Sequence, residues 1–360
     1  GLMSLNDQVV VFSKVIIKSL VYFLLPFIIY TFSLSFERKL ASRSVGKMGR
    51  YRSRRRDYIT FIQDILKIFY KKPITYLNVS FNRLNVSPAV AFGLSALPLS
   101  VLPLCESFLI NNEKLYIEIL ASEYSLLLFL GLNTLNIFSV LIIGWGINSN
   151  FSILSNLKRS MNYLASELIL LFIVINMIIS YGSADFHHIV IMQKKDLFDW
   201  VGQLGIIIQP VLAIIYMYYL SLCANFINTK FIFDLQNSQQ GISYNLNSVG
   251  LILLKLSEQL KFFINGLIFC FLFLGGYSLL PGLSYLVEQY SDSLYILQVI
   301  SLLIKTSIVA FISILLRQSS FNLRSDQILK YAWKNIIPIL YLNTMGTIIF
   351  MLVTGRFEWI

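Results

Sequence analysis

The sequence predicts an all-α polytopic membrane protein with about eight transmembrane helices. Hydrophobic residues make up 56% of the chain and charged residues only 13%, whereas ordinary soluble domains carry about 25% charged residues. The mean hydropathy is +0.71. The apolar residues are gathered in blocks close to the roughly 20 residues that a helix needs to cross a bilayer. A soluble globular protein is therefore excluded.

The apolar blocks are long and unbroken, which favours helices over barrel strands. Backbone in lipid must satisfy its own hydrogen bonds, and a helix does so within one segment. The eight predicted spans are 11–35, 87–110, 124–147, 163–181, 201–223, 249–276, 294–316 and 335–354. An even number of spans places both termini on the same side, in a single membrane domain over residues 1–360.

The distribution of charge predicts the orientation of these spans. The loop after the first span, residues 36–86, holds thirteen basic and three acidic residues, while the whole chain has a net charge of +11. Basic loops face the cytoplasm or the mitochondrial matrix. The loop between the fifth and sixth spans, residues 224–248, lies on the same side. Both termini are therefore expected on the outer face, in the intermembrane space or periplasm.

The basic loop contains an expected amphipathic helix at residues 57–70. Its apolar side chains recur at three- and four-residue spacing, which is typical of a helix lying in the membrane interface. They are Ile59, Ile62, Ile65, Leu66 and Phe69. The basic run at 50–56 is a solvated charge run or a contact to anionic lipid such as cardiolipin. A patch for a partner protein or a nucleic acid is the alternative, although no nucleic-acid partner is assigned overall.

The chain lacks the motifs of the common cofactor sites. Cys105, Cys223 and Cys270 are far apart in sequence, without the paired spacing of zinc or iron-sulfur ligands. The two histidines, His187 and His188, are neighbours and do not share a helix face. The sequence contains no phosphate-binding loop, dinucleotide glycine motif or hydrolase elbow. We therefore expect no metal and no redox cofactor bound by this chain.

Two carboxylates fall inside predicted spans, where ionisable groups are costly and usually functional. They are Glu167 and Glu258. Lys158 lies nine residues before Glu167, and Lys255 and Lys261 lie three residues on either side of Glu258, close enough to compensate its charge. Two interpretations stay open: a structural ion pair within the membrane, or a proton or ion path.

Residues 37–74 resemble the first matrix loop of the subunit 1 family of respiratory complex I, the proton-pumping NADH:quinone oxidoreductase. That family opens this loop with Glu-Arg-Lys or Glu-Arg-Arg and later has Ala-Asp, Lys-Leu-Phe and Lys-Glu-Pro. The matching positions are Glu37, Arg38, Lys39, Asp64, Lys67, Phe69, Lys71 and Pro73.

Two further blocks are similar to the same family, so the resemblance covers nearly the whole chain. Residues 144–170 resemble its Gly-Trp-x-x-Asn-Ser-Asn-Tyr stretch and the Ser-Tyr-Glu of its fourth span. The matches are Gly144, Trp145, Asn148, Ser149, Asn150 and Glu167, with Lys158 where the family has Arg and Asn162 where it has Gln. Residues 316–339 resemble its Asp-Gln…Trp-Lys ending. The matches there are Arg317, Arg324, Asp326, Gln327, Trp333, Lys334 and Pro338.

The chain departs from the family in the loop between the fifth and sixth spans. The family carries an acid-rich loop there that helps form the quinone chamber and its connection to the proton path. This chain keeps Lys230, Phe233, Asp234 and Leu235, but the glutamates are replaced by Asn and Gln types or lost. We therefore expect that a proton path in this chain uses other groups, or that its link to the quinone chamber is weakened in this loop.

The resemblance implies a core membrane subunit that docks the peripheral redox arm and forms much of a ubiquinone tunnel. FMN and iron-sulfur clusters would belong to partner subunits. The implied proton path comprises Glu167, Glu258, Asp234 and Lys158. The implied quinone tunnel and its mouth comprise Arg38, Lys39, Asp64, Lys67, Phe233 and Lys230. The implied contacts to other complex I subunits are Arg317, Arg324, Asp326 and Trp333.

Simpler roles stay open for several of these residues. Arg38 and Lys39 could instead extend their charged ends to the membrane surface as interfacial residues. Asp64 and Lys67 have the spacing of a charged pair on a helix surface. Asp234 could be a solvated or helix-capping aspartate.

Two rival functions and the location also stay open. One rival is a structural complex I subunit with an impaired quinone and proton role, and the other is a stand-alone ion- or proton-coupled transporter. The high content of Phe and Tyr, 28 and 20 residues, favours the mitochondrial inner membrane, with a bacterial inner membrane as the alternative.

Overall fold

The computed structural model describes residues 81–106, 108–110, 113–115, 120, 122–147, 150–193, 205–225, 248–279, 294–319 and 325–354. These residues are mostly helical, as the sequence predicts. The predicted first span, the amphipathic helix at 57–70 and most of the loops 36–86 and 224–248 lie outside the described residues. The predicted orientation of the termini therefore remains a prediction.

Ten α-helices follow one another along the described residues. They are α1 Phe81–Ala96, α2 Ser125–Ile147, α3 Asn150–Tyr181, α4 Phe186–Gln193, α5 Gly205–Ile208, α6 Pro210–Asn225, α7 Ser248–Phe273, α8 Leu294–Ser319, α9 Ser325–Tyr331 and α10 Ile337–Thr354. A 3₁₀ turn, Leu97–Val101, follows α1, and a π-helical turn, Ala332–Ile336, joins α9 to α10.

Five helices among the described residues are long and apolar enough to cross a membrane. These segments are Ser125–Ile147, Ile153–Tyr181, Val249–Phe273, Leu297–Arg317 and Gln327–Val353. Each of them overlaps a predicted span. The predicted second and fifth spans coincide instead with two shorter apolar helices, Val86–Val101 and Pro210–Ser221.

The structure differs from the sequence prediction around the second span. The predicted span 87–110 is too long, because α1 ends at Ala96 and the following turn ends at Val101. Pro98 and Pro103 follow closely, and proline has no N–H to continue a helical hydrogen-bond ladder. Further on, Phe108–Ile110 and Glu113–Leu115 pair as antiparallel strands β1 and β2. The expected all-α architecture therefore contains this short hairpin.

The fourth span also begins earlier than predicted. Helix α3 begins at Asn150, whereas hydropathy alone predicts a start at residue 163. Polar residues in its first turns lower the local hydropathy, yet Asn156 and Arg159 are buried against neighbouring helices. Tertiary contacts therefore extend the helix past the limit of its apolar sequence.

Helix α7 lies at the centre of the described bundle. It contacts α1, α6 and α8, and α2 packs between α1 and α3. The short helix α4 adds Phe186, whose ring centroid lies 5.4 Å from that of Phe271. Tilted and edge-on aromatic pairs of this kind add about 0.5–1.5 kcal/mol beyond area burial. The central position of α7 explains why its polar side chains meet those of other helices.

The contact between α2 and α3 depends on a missing side chain at Gly144. A Cβ built there would collide with Asn156. We therefore expect Gly144→Ala to destabilise the chain by about 1–3 kcal/mol, the usual cost of overpacking, seen as a lower thermal inactivation temperature. Gly131→Ala in the same helix is the matched control, because nothing lies within 4 Å of its Cβ position. Equal effects of the two substitutions would contradict this role for Gly144.

Candidate functional site: a buried charge cluster

Three helices contribute polar side chains to one buried cluster. On each helix these residues recur every three or four positions, which places them on one face. The cluster comprises Asn133, Asn136 and Ser139 of α2, Arg159, Tyr163 and Glu167 of α3, and Glu258 and Lys261 of α7. All eight are buried, with side chains between 1% and 9% exposed. We call this set the charge cluster.

Glu167 is held by an amide. Nδ2 of Asn133 donates to both carboxylate oxygens of Glu167, at 2.8 and 3.0 Å. Asn133 is oriented in turn by Asn136, whose Nδ2 donates to Oδ1 of Asn133 at 3.1 Å. A neutral donor does not cancel charge, so Glu167 differs from a carboxylate locked in a direct ion pair.

Glu258 is held by a cation, the guanidinium of Arg159. The sequence suggests compensation by Lys255 and Lys261, and the structure adds a direct ion pair to Arg159, 99 positions away in the chain. Neighbouring residues on a helix are rotated by about 100°. Arg159 is accordingly buried while Lys158, named for the proton path, is exposed. The cluster thus contains Arg159, the sequence neighbour of the predicted Lys158.

Lys261 lies on another side of the cluster. Its Nζ donates to the hydroxyl of Ser139 at 3.0 Å and lies 4.9 Å from the ring centroid of Tyr163. The guanidinium carbon of Arg159 lies 5.8 Å from the centroid of the same ring. Both distances fall within the usual range of cation–π contacts. Two carboxylates and two cations therefore balance within one cluster.

The other predicted site residues fall into two groups, those outside and those within the part of the chain that the structure describes. Arg38, Lys39, Asp64, Lys67, Lys230, Phe233, Asp234 and Arg324 lie outside the described residues. Asp326 lies at the start of α9, and Arg317 is buried near the end of α8. Trp333 is 54% exposed in the π-helical turn. None of these three belongs to the charge cluster, and their roles remain predictions.

Sequence reasoning overlooks a buried cation in α8. Nζ of Lys305 donates to the carbonyls of Leu274, Gly276 and Ser278 at 2.9, 3.0 and 2.7 Å. This segment follows the end of α7 at Phe273 and turns at Gly275 and Gly276, whose φ angles of 71° and 49° suit glycine. The sequence does contain a signal for this residue, a lysine within the otherwise mostly apolar segment Leu-Ile-Lys-Thr. Its contacts indicate that Lys305 stabilises this turn.

An apolar cleft of about 720 Å³ lies between α6 and α8, with Phe269 of α7 also lining it. Its other walls include Ile214, Met217, Ile308 and Ile312. Such an apolar lining suits a hydrocarbon chain. Among the described residues, no three His, Cys, Asp or Glu side chains are grouped to hold a metal.

Long apolar helices around a balanced set of buried charges define a multi-pass helical membrane protein. The chain belongs to the NADH dehydrogenase family, whose model matches residues 17–348.

Three relatives illustrate the similarity. The H subunit of NADH-quinone oxidoreductase from Flavobacterium psychrophilum is 23% identical over 332 residues, covering 90% of this chain and 93% of the relative. The H 2 subunit of NADH-quinone oxidoreductase from Syntrophobacter fumaroxidans is 26% identical, covering 89% and 90%. NADH-ubiquinone oxidoreductase chain 1 of Trichophyton rubrum is 24% identical, covering 85% and 84%.

Proposed function

We propose that the chain is a membrane subunit of respiratory NADH:quinone oxidoreductase that links the quinone site to proton movement in the membrane. The family and the names of the similar chains support membership of this enzyme. Electrons would pass through FMN and iron-sulfur clusters in partner subunits, so this chain would hold no redox cofactor. Its location would be the mitochondrial inner membrane, with a bacterial inner membrane as the alternative.

The observation that carries the proton role is the contrast between the two buried carboxylates. Glu258 has a direct cationic partner, whereas Glu167 accepts hydrogen bonds from an amide. Carboxylates buried in a membrane bundle commonly belong to proton relays. Two-electron reduction of a quinone creates negative charge that proton uptake must balance. We infer that this charge alters the protonation of Glu167 and biases the rest of the membrane arm.

A proton path needs polar groups between its carboxylates, and the cluster contains them. Oδ1 of Asn136 is buried and has no hydrogen-bond partner among the described residues. Ordered water commonly satisfies such atoms. Asp234 would extend the path toward the quinone chamber, and Lys158 would contribute from the exposed face of α3.

The quinone tunnel is a separate proposal, which rests on the family resemblance of the loops 36–86 and 224–248. Its mouth would be formed by Arg38, Lys39, Asp64, Lys67, Lys230 and Phe233. The basic loop would also contact anionic lipid and the peripheral arm. Arg317, Arg324, Asp326 and Trp333 would contact neighbouring subunits. The apolar lining of the described helices suits the isoprenoid tail of a ubiquinone-type substrate.

A second function, a structural subunit without proton transfer, is favoured by one observation. The Arg159–Glu258 pair neutralises a charge that a relay would use, and a balanced cluster satisfies its members without any proton movement. The depleted acid loop agrees with this alternative.

Two measurements on gently solubilised membranes test the proposal. In native electrophoresis, we expect the chain to migrate with NADH dehydrogenase activity in a very large particle. A photoreactive inhibitor of the quinone tunnel should then label this chain. Co-migration without label would favour the structural subunit, and migration as a small separate species would overturn the proposal and favour a stand-alone transporter.

A further inference from the structure

The apolar cleft between α6 and α8 has a buried floor and exposed walls. Ala213 and Val309 line it and are buried, whereas Ile214 and Ile308 are 72% and 51% exposed. The hydroxyl of Ser221, near one end, donates to the carbonyl oxygen of Tyr218 at 2.7 Å and is therefore satisfied within the chain. An occupant of the cleft would thus meet hydrocarbon along most of its length.

The length of the cleft corresponds to one leaflet of a bilayer. Along α6 its lining residues run from Pro210 to Ser221, a rise of about 17 Å at 1.5 Å per residue. On α8 they lie between Ile308 and Leu316, in the C-terminal half of the helix. The hydrocarbon region of a bilayer is about 30 Å thick, so the cleft covers about half of it. One acyl chain of a phospholipid occupies the same depth.

The walls differ from a surface that packs against another transmembrane helix. Helix contacts in membranes are rich in small residues, which let two backbones approach closely, but the exposed walls carry Ile214, Ile308 and Ile312. The cleft is also narrow. A volume of about 720 Å³ over this length averages about 40 Å² in cross-section, roughly half that of a helix 10 Å across. These features favour a single hydrocarbon chain over a helix.

One end of the cleft is aromatic and basic. The ring centroid of Tyr218 lies 5.7 Å from that of Tyr331 in α9. Lys330 precedes Tyr331 and Lys334 follows it in the π-helical turn, and both lysines are exposed. The described residues of α6, α8, α9 and the π-helical turn include one carboxylate, that of Asp326. Tyrosine and lysine gather at the membrane–water interface, where lysines attract anionic lipid headgroups.

We propose that the cleft binds an acyl chain of an anionic phospholipid whose phosphate lies beside Lys330 and Lys334. The headgroup of a ubiquinone is neutral, so a basic end would not select it, whereas it would select a phosphate. The site is distinct from the charge cluster and from the basic loop 36–86. The inference does not depend on the proposed quinone and proton roles.

The test places the assembled complex in phosphatidylcholine vesicles that contain a small fraction of a probe lipid with a photoreactive diazirine in its acyl chain. The probe is phosphatidylglycerol in one sample and phosphatidylcholine in the other, and mass spectrometry locates the label after irradiation. We expect phosphatidylglycerol to label residues 206–221 and 308–316 about fivefold more strongly, the preference that one lysine near an anionic surface supplies. Excess ubiquinone should leave this label in place.

Two variants separate the acyl-chain site from the headgroup site. Ala213→Leu fills the floor of the cleft and should lower labelling by both probes. Lys330→Gln/Lys334→Gln should equalise the two probes while labelling by phosphatidylcholine persists. The matched control is Lys255→Gln, which removes an exposed lysine of α7 and should keep the preference. The lysine variants leave the cleft unfilled, so they decide the question even if Ala213→Leu does not assemble.

Three results with the unmodified complex would overturn the inference. Equal labelling by the two probes would mean that the cleft holds bulk lipid only. Absence of label would mean that another protein segment covers the cleft. Displacement of the label by ubiquinone would assign the cleft to the quinone tail. The readout is the position of the label, so loss of the proposed proton role would leave this test unaffected.

Discussion

Replacing Arg159 by Met is expected to prevent the chain from accumulating in its complex. The substitution removes the cation that contacts Glu258 and leaves a buried carboxylate without its direct ion-pair partner. Breaking a buried ion pair by removing one partner costs about 3–5 kcal/mol, a large fraction of the roughly 5–15 kcal/mol that stabilises a typical protein. The measurement is the amount of assembled complex in native electrophoresis of solubilised membranes.

Two comparisons make this prediction specific. Lys158→Met removes the neighbouring cation, which is exposed, and should leave assembly intact. The double variant Arg159→Met/Glu258→Met removes both charges, and assembly should recover because apolar side chains of similar size often replace a buried pair without loss. Normal assembly of Arg159→Met alone would show that this ion pair is dispensable.

Glu167→Gln should slow electron transfer to quinone without preventing assembly. Glutamine keeps the size of the side chain and retains an oxygen that accepts from Asn133, but it cannot exchange a proton. We expect the NADH:quinone rate to fall about tenfold, equivalent to about 1.4 kcal/mol in the barrier. Transfer from NADH to an artificial acceptor at the peripheral arm should be unchanged.

The matched control for this variant is Glu123→Gln. Glu123 lies just before α2 and is exposed, so its substitution should leave both rates at the wild-type level. A normal quinone rate in Glu167→Gln would mean that this carboxylate does not take part in turnover.

The sequence was sufficient to find the two carboxylates of the charge cluster. Glu167 and Glu258 interrupt apolar sequences, and the cost of charge in lipid identifies them without any structure. Hydropathy also located the five long helices. It misplaced the ends of two spans, where proline ended α1 early and buried polar contacts extended α3 toward its N-terminus.

The partners of these carboxylates could not be chosen from the sequence. Periodicity limits which neighbours share a face, so Lys255 and Lys261 were the local candidates for Glu258. The observed partner, Arg159, is distant in the chain, and its selection over Lys158 depends on the rotation of α3 about its axis. That rotation is fixed by packing against α2 and α10. For the same reason, sequence alone did not connect Lys261 with Ser139 and Tyr163.

The most direct measurement of the proposed coupling is the number of protons translocated per NADH oxidised in sealed vesicles. Wild-type and Glu167→Gln complexes would be compared at matched rates of electron flow, so that a slower enzyme is not mistaken for an uncoupled one. We expect a lower proton-to-electron ratio in Glu167→Gln and an unchanged ratio in Glu123→Gln. An equal ratio in all three would contradict a role for the charge cluster in proton movement.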